Sequence, residues 1–260
     1  MSTGRSKGGR SKGGGMRVAL LGGTKGMGRA MARQLAARGD RVFLLGRDTE
    51  ELARSTADLD ARANAEGPGF SHCDLEDPAS FEPALDAAVA ALGGLDCVVV
   101  TAGMFATQDV LEDDLALTQR LLTVNFAHTV VFCEHARARL LADGGGTLCV
   151  FSSVAGDRGR TPVVLYGASK AGLSAYLEGL DHRFRSQGLV TVCFKPGFVR
   201  TSMTAGLPEP PFAGDVEPVA AAAVRAIDRA TPQVYAPAIW GWLMAIIRRL
   251  PRFVMRKVKF

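Results

Sequence analysis

The sequence predicts an α/β chain: a single domain built on a doubly wound parallel sheet with helices on both faces, followed by an amphipathic C-terminal extension. Three observations carry this. Short β-branched or aliphatic runs alternate with longer Ala-rich stretches of helical spacing, the pattern of βαβ units. The runs are apolar throughout instead of alternating with polar residues, as strands covered on both faces should be. Finally, no interdomain linker divides the body of the chain. A chain of 260 residues at 47% hydrophobic and 22% charged excludes disorder and collagen-like repetition, and buries a core without staples.

Taken in order, the strands fall at 17–22, 41–46, 69–73, 96–101, 147–152 and 189–195. Helical spacing occupies the intervals near 26–38, 50–66, 78–92, 112–142 and 166–187, so each crossover has the length that packs a helix back on the sheet with right-handed connection. Residues 1–15 contain Arg-Ser-Lys-Gly-Gly twice and offer nothing to bury, which predicts a disordered basic leader. The catalytic unit is placed at 16–235 and the extension at 236–260.

Charge divides unevenly. The net charge is +5, yet residues 1–15 hold four bases and residues 248–260 hold six, neither with an acid, so the body between is net acidic. A nucleic-acid footprint spread over the fold is therefore not expected. The five cysteines are scattered without a Cys-x-x-Cys, which predicts free thiols and a reducing, cytoplasmic setting. None of the four histidines has partners at metal spacing, and no apolar run reaches the roughly 18 residues of a membrane span.

The first strand runs into Gly22-Gly23-Thr24-Lys25-Gly26-Met27-Gly28. A glycine turn between a first strand and a first helix lets backbone approach a pyrophosphate that the helix N-terminus attracts, so the domain is expected to be a Rossmann-like dinucleotide binder. The second strand ends at Leu45-Gly46-Arg47-Asp48, where such folds meet the adenosine ribose. Arg47 is a planar charged fork matched to phosphate, and Lys25 adds a second cation; together they favour NADP(H). Asp48 keeps the alternative of NAD open.

Tyr166-Gly167-Ala168-Ser169-Lys170 opens a long Ala- and Leu-rich helical stretch. Residues four apart share a helix face, so the phenol and the ammonium point into one cleft. A phenol near pKa 10 needs a neighbouring cation to work near neutrality. Ser153 stands thirteen residues earlier, at the end of an apolar strand, where its hydroxyl can meet a substrate carbonyl.

On these pieces the chain resembles the short-chain dehydrogenase/reductase family over essentially all of 16–235. The ordered matches are the glycine turn at 22–28, Asp74-Leu75, Ala102-Gly103, Asn125 within Thr123-Val124-Asn125, Ser153, Tyr166 with Lys170, Pro196-Gly197 and Thr201. The resemblance implies Tyr166 as proton donor and Ser153 as the carbonyl's hydrogen-bond partner. It implies that Lys170 holds the nicotinamide ribose and depresses the tyrosine pKa, and that Asn125 supports a water-linked proton relay. The implied NADPH-binding set is Gly22, Thr24, Lys25, Gly26, Met27, Arg47, Asp74, Leu75, Ala102, Gly103, Pro196, Val199 and Thr201, together with Tyr166 and Lys170. Asp74 and Leu75 would flank the adenine, and Val199 and Thr201 the carboxamide. Family members are usually dimers or tetramers, which implies a homo-oligomer. Two departures stand out: Leu21 replaces the usual threonine before the first glycine, and Val100-Thr101 replaces two asparagines, so polar support of the central strands is expected to be partly lost.

The Pro- and Gly-rich stretch 201–214 lies where a lid over the substrate would be expected, with a plain surface connection as the alternative. Residues 236–247 are uncharged and carry Trp240, Trp242, Leu243, Met244, Ile246 and Ile247 before six cations. Two readings stay open for this tail: an interfacial segment on anionic lipid, or a helix packed over the cleft or against a partner subunit. Residues 152–160 and 243–252 also resemble a subgroup that reduces ketosugars on polyprenyl phosphate, which implies a lipid-linked or apolar ketone. The expected activity is an NADPH-dependent ketoreductase; the alternative is a catalytically silent NADP-binding protein that scaffolds a membrane complex.

Overall fold

The computed structural model describes residues 15–63 and 67–257. The expected leader lies, except for Gly15, outside the described residues, as does the end of the helix expected to reach 66.

Seven parallel strands run in the order β3-β2-β1-β4-β5-β6-β7. The first half comprises β1 (Arg17–Leu21), α1 (Gly26–Ala37), β2 (Arg41–Gly46), α2 (Thr49–Ala63), β3 (Phe70–His72), α3 (Phe81–Leu92) and β4 (Cys97–Val100). The second half comprises α4 (Gln108–Asp113), α5 (Leu115–Leu122), a π-helical turn at Thr123–His128, α6 (Thr129–Ala142), β5 (Gly146–Phe151), α7 (Val164–Phe184), β6 (Leu189–Pro196), α8 (Val216–Asp228), β7 (Gln233–Ala236), α9 (Ile239–Ile247) and α10 (Arg252–Met255).

The sheet buries both faces because successive strand residues point to opposite sides. Ala19, Leu21, Val98 and Val100 join α3, α6 and α7 in one core layer, while Val18, Leu20, Cys97 and Val99 join α1, α2 and α8 in the other. This explains why the strands read as unbroken apolar runs. Asp40 fixes the start of β1 by accepting from the Met16 amide at 2.8 Å, and Arg17 is held by Asp96 at 2.8 Å. All five cysteines are free and buried, four of them on strands or helices of the core and Cys73 just after β3. Burial raises each thiol; Cys73 reaches about 12.

Three expectations need correction. The stretch 112–142 is not one helix. Asp114 breaks it by accepting from the Leu117 amide at 2.9 Å as the cap of α5, and the π-helical turn interrupts it again. A seventh strand and α8 extend the domain beyond the six strands expected. Consequently the boundary at 235 cuts through β7, whose Ala236 pairs with Pro196 on β6. Ala236 is the last residue of this edge strand, so the tail is continuous with the domain.

Strand order reverses between β1 and β4, where one crossover leads to β2 and the other to β5. Such a switch point opens a crevice beyond the carboxyl ends of the two strands. The candidate site lies there.

Candidate active site

At the end of β1 the backbone turns sharply. Gly22 has φ +94°, and a Cβ added to it would come within 2.6 Å of the Ala102 amide nitrogen. Gly28 is equally constrained: its Cβ would lie 2.2 Å from the Gly22 carbonyl oxygen. The glycines therefore bring the β1 turn, the start of α1 and the segment after β4 into contact. Thr101 Oγ1 seals this junction by donating to the Leu21 and Gly22 carbonyls at 3.2 and 3.0 Å. Polar support of the central strands, expected to be partly lost at Val100-Thr101, is thus supplied by one threonine.

These elements line a cleft of about 260 Å³ that includes Gly22, Thr24, Lys25, Arg47, Asp74, Leu75, Ala102 and Gly103. Lys25 is exposed at the N-terminus of α1, where no side chain caps the amides. Arg47 is 68% exposed, and its guanidinium approaches Glu76 only to 3.8 Å. Glu76 is already engaged by Arg120 at 2.6 and 2.8 Å. Asp48 accepts from the Glu51 amide at 2.9 Å, so this carboxylate caps the start of α2. Asp74 accepts from the Glu76 amide at 3.0 Å, and His128 Nδ1 lies 2.6 Å from the Leu75 carbonyl. Met27 instead packs against the core layer beneath α1. Gly26 faces Thr201 across the mouth of the turn.

The second cluster stands at the ends of β5 and β6. Ser153 follows β5 and is buried; its Oγ accepts from the Ala155 amide at 3.1 Å. Ser152 beside it donates to the Lys170 carbonyl at 2.9 Å, which ties α7 to the strand end. Lys170 is buried, and its Nζ donates to the Phe151 carbonyl at 2.9 Å. Tyr166, one turn earlier, meets the edge of Phe105 at a ring separation of 5.1 Å. The Lys170 ammonium lies 5.9 Å from the Tyr166 ring centre.

The electrostatics differ from the implied picture. Burial pushes the Tyr166 phenol up to about 12, and a hydrogen bond with Ser153 pulls it down. Burial also brings Lys170 down to about 8. In the protein alone, desolvation therefore outweighs any lowering of the phenol by its cationic neighbour. The phenol holds its proton at neutral pH.

Asn125 sits in the π-helical turn, fully buried. Its Oδ1 accepts from the Met104 amide at 2.7 Å and its Nδ2 donates to the Met104 carbonyl at 2.8 Å. A π-turn displaces one residue from the helical register, and here that residue clamps the loop after β4. Gly103 joins the two clusters: the place its Cβ would occupy is 3.1 Å from Asn125 Oδ1 and 3.6 Å from Lys170 Nζ. Pro196 ends β6, Val199 is buried, and the Thr201 amide donates to Thr204 Oγ1 at 3.0 Å. The loop 201–214 closes at its neck through a Val199–Gly214 bridge. It is pinned there by Arg200 between Glu209 and Asp215.

Sequence reasoning missed a polar network that runs from a buried ion pair out to the surface. Lys195 Nζ donates to Asp157 Oδ1 at 2.7 Å and to Gln233 Oε1 at 3.0 Å, and the Tyr235 hydroxyl donates to Asp157 Oδ2 at 2.6 Å. The ion-paired side chains are only 6% and 2% exposed. Its members lie 38 and 78 residues apart, so no local pattern announced it. The tail also reaches the site. A Cβ on Gly197 would fall 2.1 Å from Trp240 Nε1, and Trp240, Met244 and Ile247 form a small core with Val154.

The pieces fit a nicotinamide dinucleotide: a glycine turn that only a bare backbone can make, two exposed cations at one end of which Arg47 has only a distant carboxylate, and a hydroxyl, phenol and ammonium at the other. Among the described residues no His, Cys, Asp and Glu cluster could hold a metal.

Comparison with known proteins gives the same answer. The sequence matches the short chain dehydrogenase family over residues 17–211. It is 33% identical to an uncharacterized oxidoreductase of Mycobacterium tuberculosis over 241 residues, covering 93% of this chain and 96% of the relative. It is 28% identical to carbonyl reductase family member 4 of Xenopus tropicalis, covering 74% of this chain and 78% of that one. A solved short-chain type dehydrogenase/reductase from Mycobacterium ulcerans superposes with a TM-score of 0.77 at 26% identity, over 85% of this chain and 88% of the other.

Proposed function

The chain belongs to the short-chain dehydrogenase family, and from that premise we propose that it is a ketoreductase using NADPH. The observation that carries the reading is the convergence of Ser153, Tyr166 and Lys170 beside a cleft whose far end holds Lys25 and Arg47. The choice of NADPH is supported by the arrangement around Arg47. Its guanidinium has only a distant carboxylate that Arg120 already occupies, while Asp48 is turned to its own helix. A 2′-phosphate would complete two cations that the protein leaves open.

When bound, NADPH supplies the hydride that reduces the carbonyl carbon. The protein's part is positioning and proton supply. Ser153 Oγ accepts from the Ala155 amide and is hydrogen-bonded with Tyr166 in the resting site, so its proton turns to a carbonyl oxygen when substrate takes the place of that contact. Tyr166 keeps its proton in the resting site, since burial raises the phenol to about 12, and gives it to the oxygen as negative charge grows there. A positioned general acid contributes roughly 10²–10⁴-fold. Lys170, anchored on the Phe151 carbonyl, directs the remaining ammonium protons towards the ribose side of the cleft. Asn125 acts through the loop it clamps.

The substrate reading is an apolar or lipid-linked ketone, such as a ketosugar carried on polyprenyl phosphate. It is supported by the apolar tail seated beside Gly197 and by a cavity of about 510 Å³ in which Phe198 and Leu207 stand among Arg200, Ser202, Thr204 and Glu209, a mixed lining suited to an apolar chain with a polar head. Assembly as a homo-oligomer belongs to the same proposal. The test is NADPH oxidation against a panel of ketones with Tyr166→Phe as control. The variant should lose roughly 10²–10⁴-fold in kcat and keep its NADPH affinity; unchanged turnover would remove the mechanism.

A further inference from the structure

The two faces of α9 have different fates. Trp240, Met244 and Ile247 are 6%, 0% and 3% exposed and pack on Val154, directly after the catalytic serine. Ile239, Trp242 and Ile246 are 42%, 77% and 63% exposed. Their spacing of three and four places them on one face of the helix. Phe253 of α10 adds another large exposed ring at 66%. Isolated exposed apolar residues are ordinary, but a contiguous set on one element marks an interaction surface.

Charge identifies the partner. Residues 236–257 contain no acid, and Arg248, Arg249, Arg252, Arg256 and Lys257 are all exposed. Among the described residues none of the five lies within 4.0 Å of a carboxylate. Arg249 instead folds back on the Ala245 carbonyl at 2.6 Å, and Arg158 donates to the Leu250 carbonyl at 2.8 Å, which fixes the basic stretch to the same side of the domain. An apolar face edged by unpaired cations is complementary to an anionic bilayer, with the tryptophan ring at headgroup level. At 1.5 Å per residue α9 is roughly 14 Å long against about 30 Å of hydrocarbon, so it lies flat. No helix among the described residues is long and apolar enough to cross a membrane.

We propose that the outer face of α9, with Phe253 and the five cations between 248 and 257, is a docking surface for anionic lipid, and that its inner face carries the loop after Ser153 to the bilayer. A ketone dissolved in or tethered to the membrane would then reach the cleft along the surface. The inference rests on how the tail packs and not on the ketoreductase reading.

The test uses the full chain with two vesicle preparations, phosphatidylcholine alone and phosphatidylcholine with about one third phosphatidylglycerol. The protein should float with the anionic vesicles only, and release as salt rises. Trp242 should shift its emission to the blue on binding, a change lost in Trp242→Phe. Each cation removed from Arg248, Arg249 or Arg252 should weaken partitioning about fivefold. Trp242→Glu/Ile246→Glu should not float, while thermal unfolding and turnover of a water-soluble ketone stay unchanged, because both side chains are exposed. Equal flotation of wild type and double variant overturns the proposal, as does absence of binding to anionic vesicles. So does a double variant that changes only the elution volume, which would mean that a second copy covers this face. Loss of ketone turnover in the wild type would fail the ketoreductase reading and leave the flotation result standing.

Discussion

Removing the Asp157 carboxylate should expose how much the site depends on its buried support. Asp157 receives Lys195 Nζ at 2.7 Å and the Tyr235 hydroxyl at 2.6 Å, with 2% and 6% of the ion-paired side chains exposed. Asp157→Ala leaves an ammonium in the interior with Gln233 Oε1, at 3.0 Å, as its remaining partner in the network. Breaking a buried pair from one side costs about 3–5 kcal/mol; the surviving amide acceptor puts this case near 3 kcal/mol. For a chain of this size that is a fall in Tm of roughly 6–12 °C. Replacing both partners, Asp157→Ala/Lys195→Met, removes the orphaned charge and should recover most of the loss. Urea and thermal unfolding of the single and double variants measure the cycle. Because Asp157 closes the turn that begins at Ser153, kcat for a soluble ketone should fall in the single variant and partly return in the double. A single variant that loses less than about 1 kcal/mol, or a double variant no more stable than it, would refute the reasoning.

Arg47→Ala should weaken NADPH by about tenfold, the lower end for a charge-assisted contact at a mostly exposed side chain, and leave NADH within about twofold; titration calorimetry with both cofactors decides it, and equal losses would remove the phosphate role. Lys170 titrates near 8 in the fold against 10.5 unfolded. At this side chain the unfolded chain therefore binds the extra proton between those values, and the contribution of Lys170 to stability should rise with pH across that window by up to about 3 kcal/mol. Tyr166, raised to about 12, opposes this above pH 10, where the unfolded phenol ionises first. The five buried thiols, raised above their ordinary value, pull the other way from about pH 9 in both proteins, so the lysine is read as a difference: in urea unfolding from pH 7.5 to 10 the stability of the wild type relative to Lys170→Met should grow with pH, and parallel slopes would contradict the burial of the ammonium. Gly197→Val places a side chain where Trp240 Nε1 stands 2.1 Å away, so Trp240 emission should move to the red and stability should drop by about 1–3 kcal/mol. An unshifted spectrum would mean that α9 is not seated there.

What the sequence disclosed follows from which interactions are local. Strands buried on both faces announce themselves as Val18–Leu21 or Cys97–Val100 do, and the spacing of Tyr166 to Lys170 is a property of one helix. β7 escaped notice because Gln233–Ala236 is short and only Ala236 is fully buried. The break at Asp114 and the π-helical turn at Asn125 were invisible in a continuous apolar pattern, since each is decided by a single side chain finding a backbone partner. The direction of the Tyr166 shift depends on depth, which no spacing reports. The network of Asp157, Lys195, Gln233 and Tyr235 exists only once three strand ends meet.

The five buried thiols give the molecule an internal clock. Cys97, Cys149 and Cys193 lie on adjacent central strands, Cys133 on the buried face of α6 and Cys73 beyond β3. A thiol reagent reacts with the thiolate, and none of these groups meets solvent until its own neighbourhood opens. Labelling followed by peptide mapping would therefore time, cysteine by cysteine, how often each layer of the sheet breathes. The enzyme would be reading out its own fluctuations without any introduced probe.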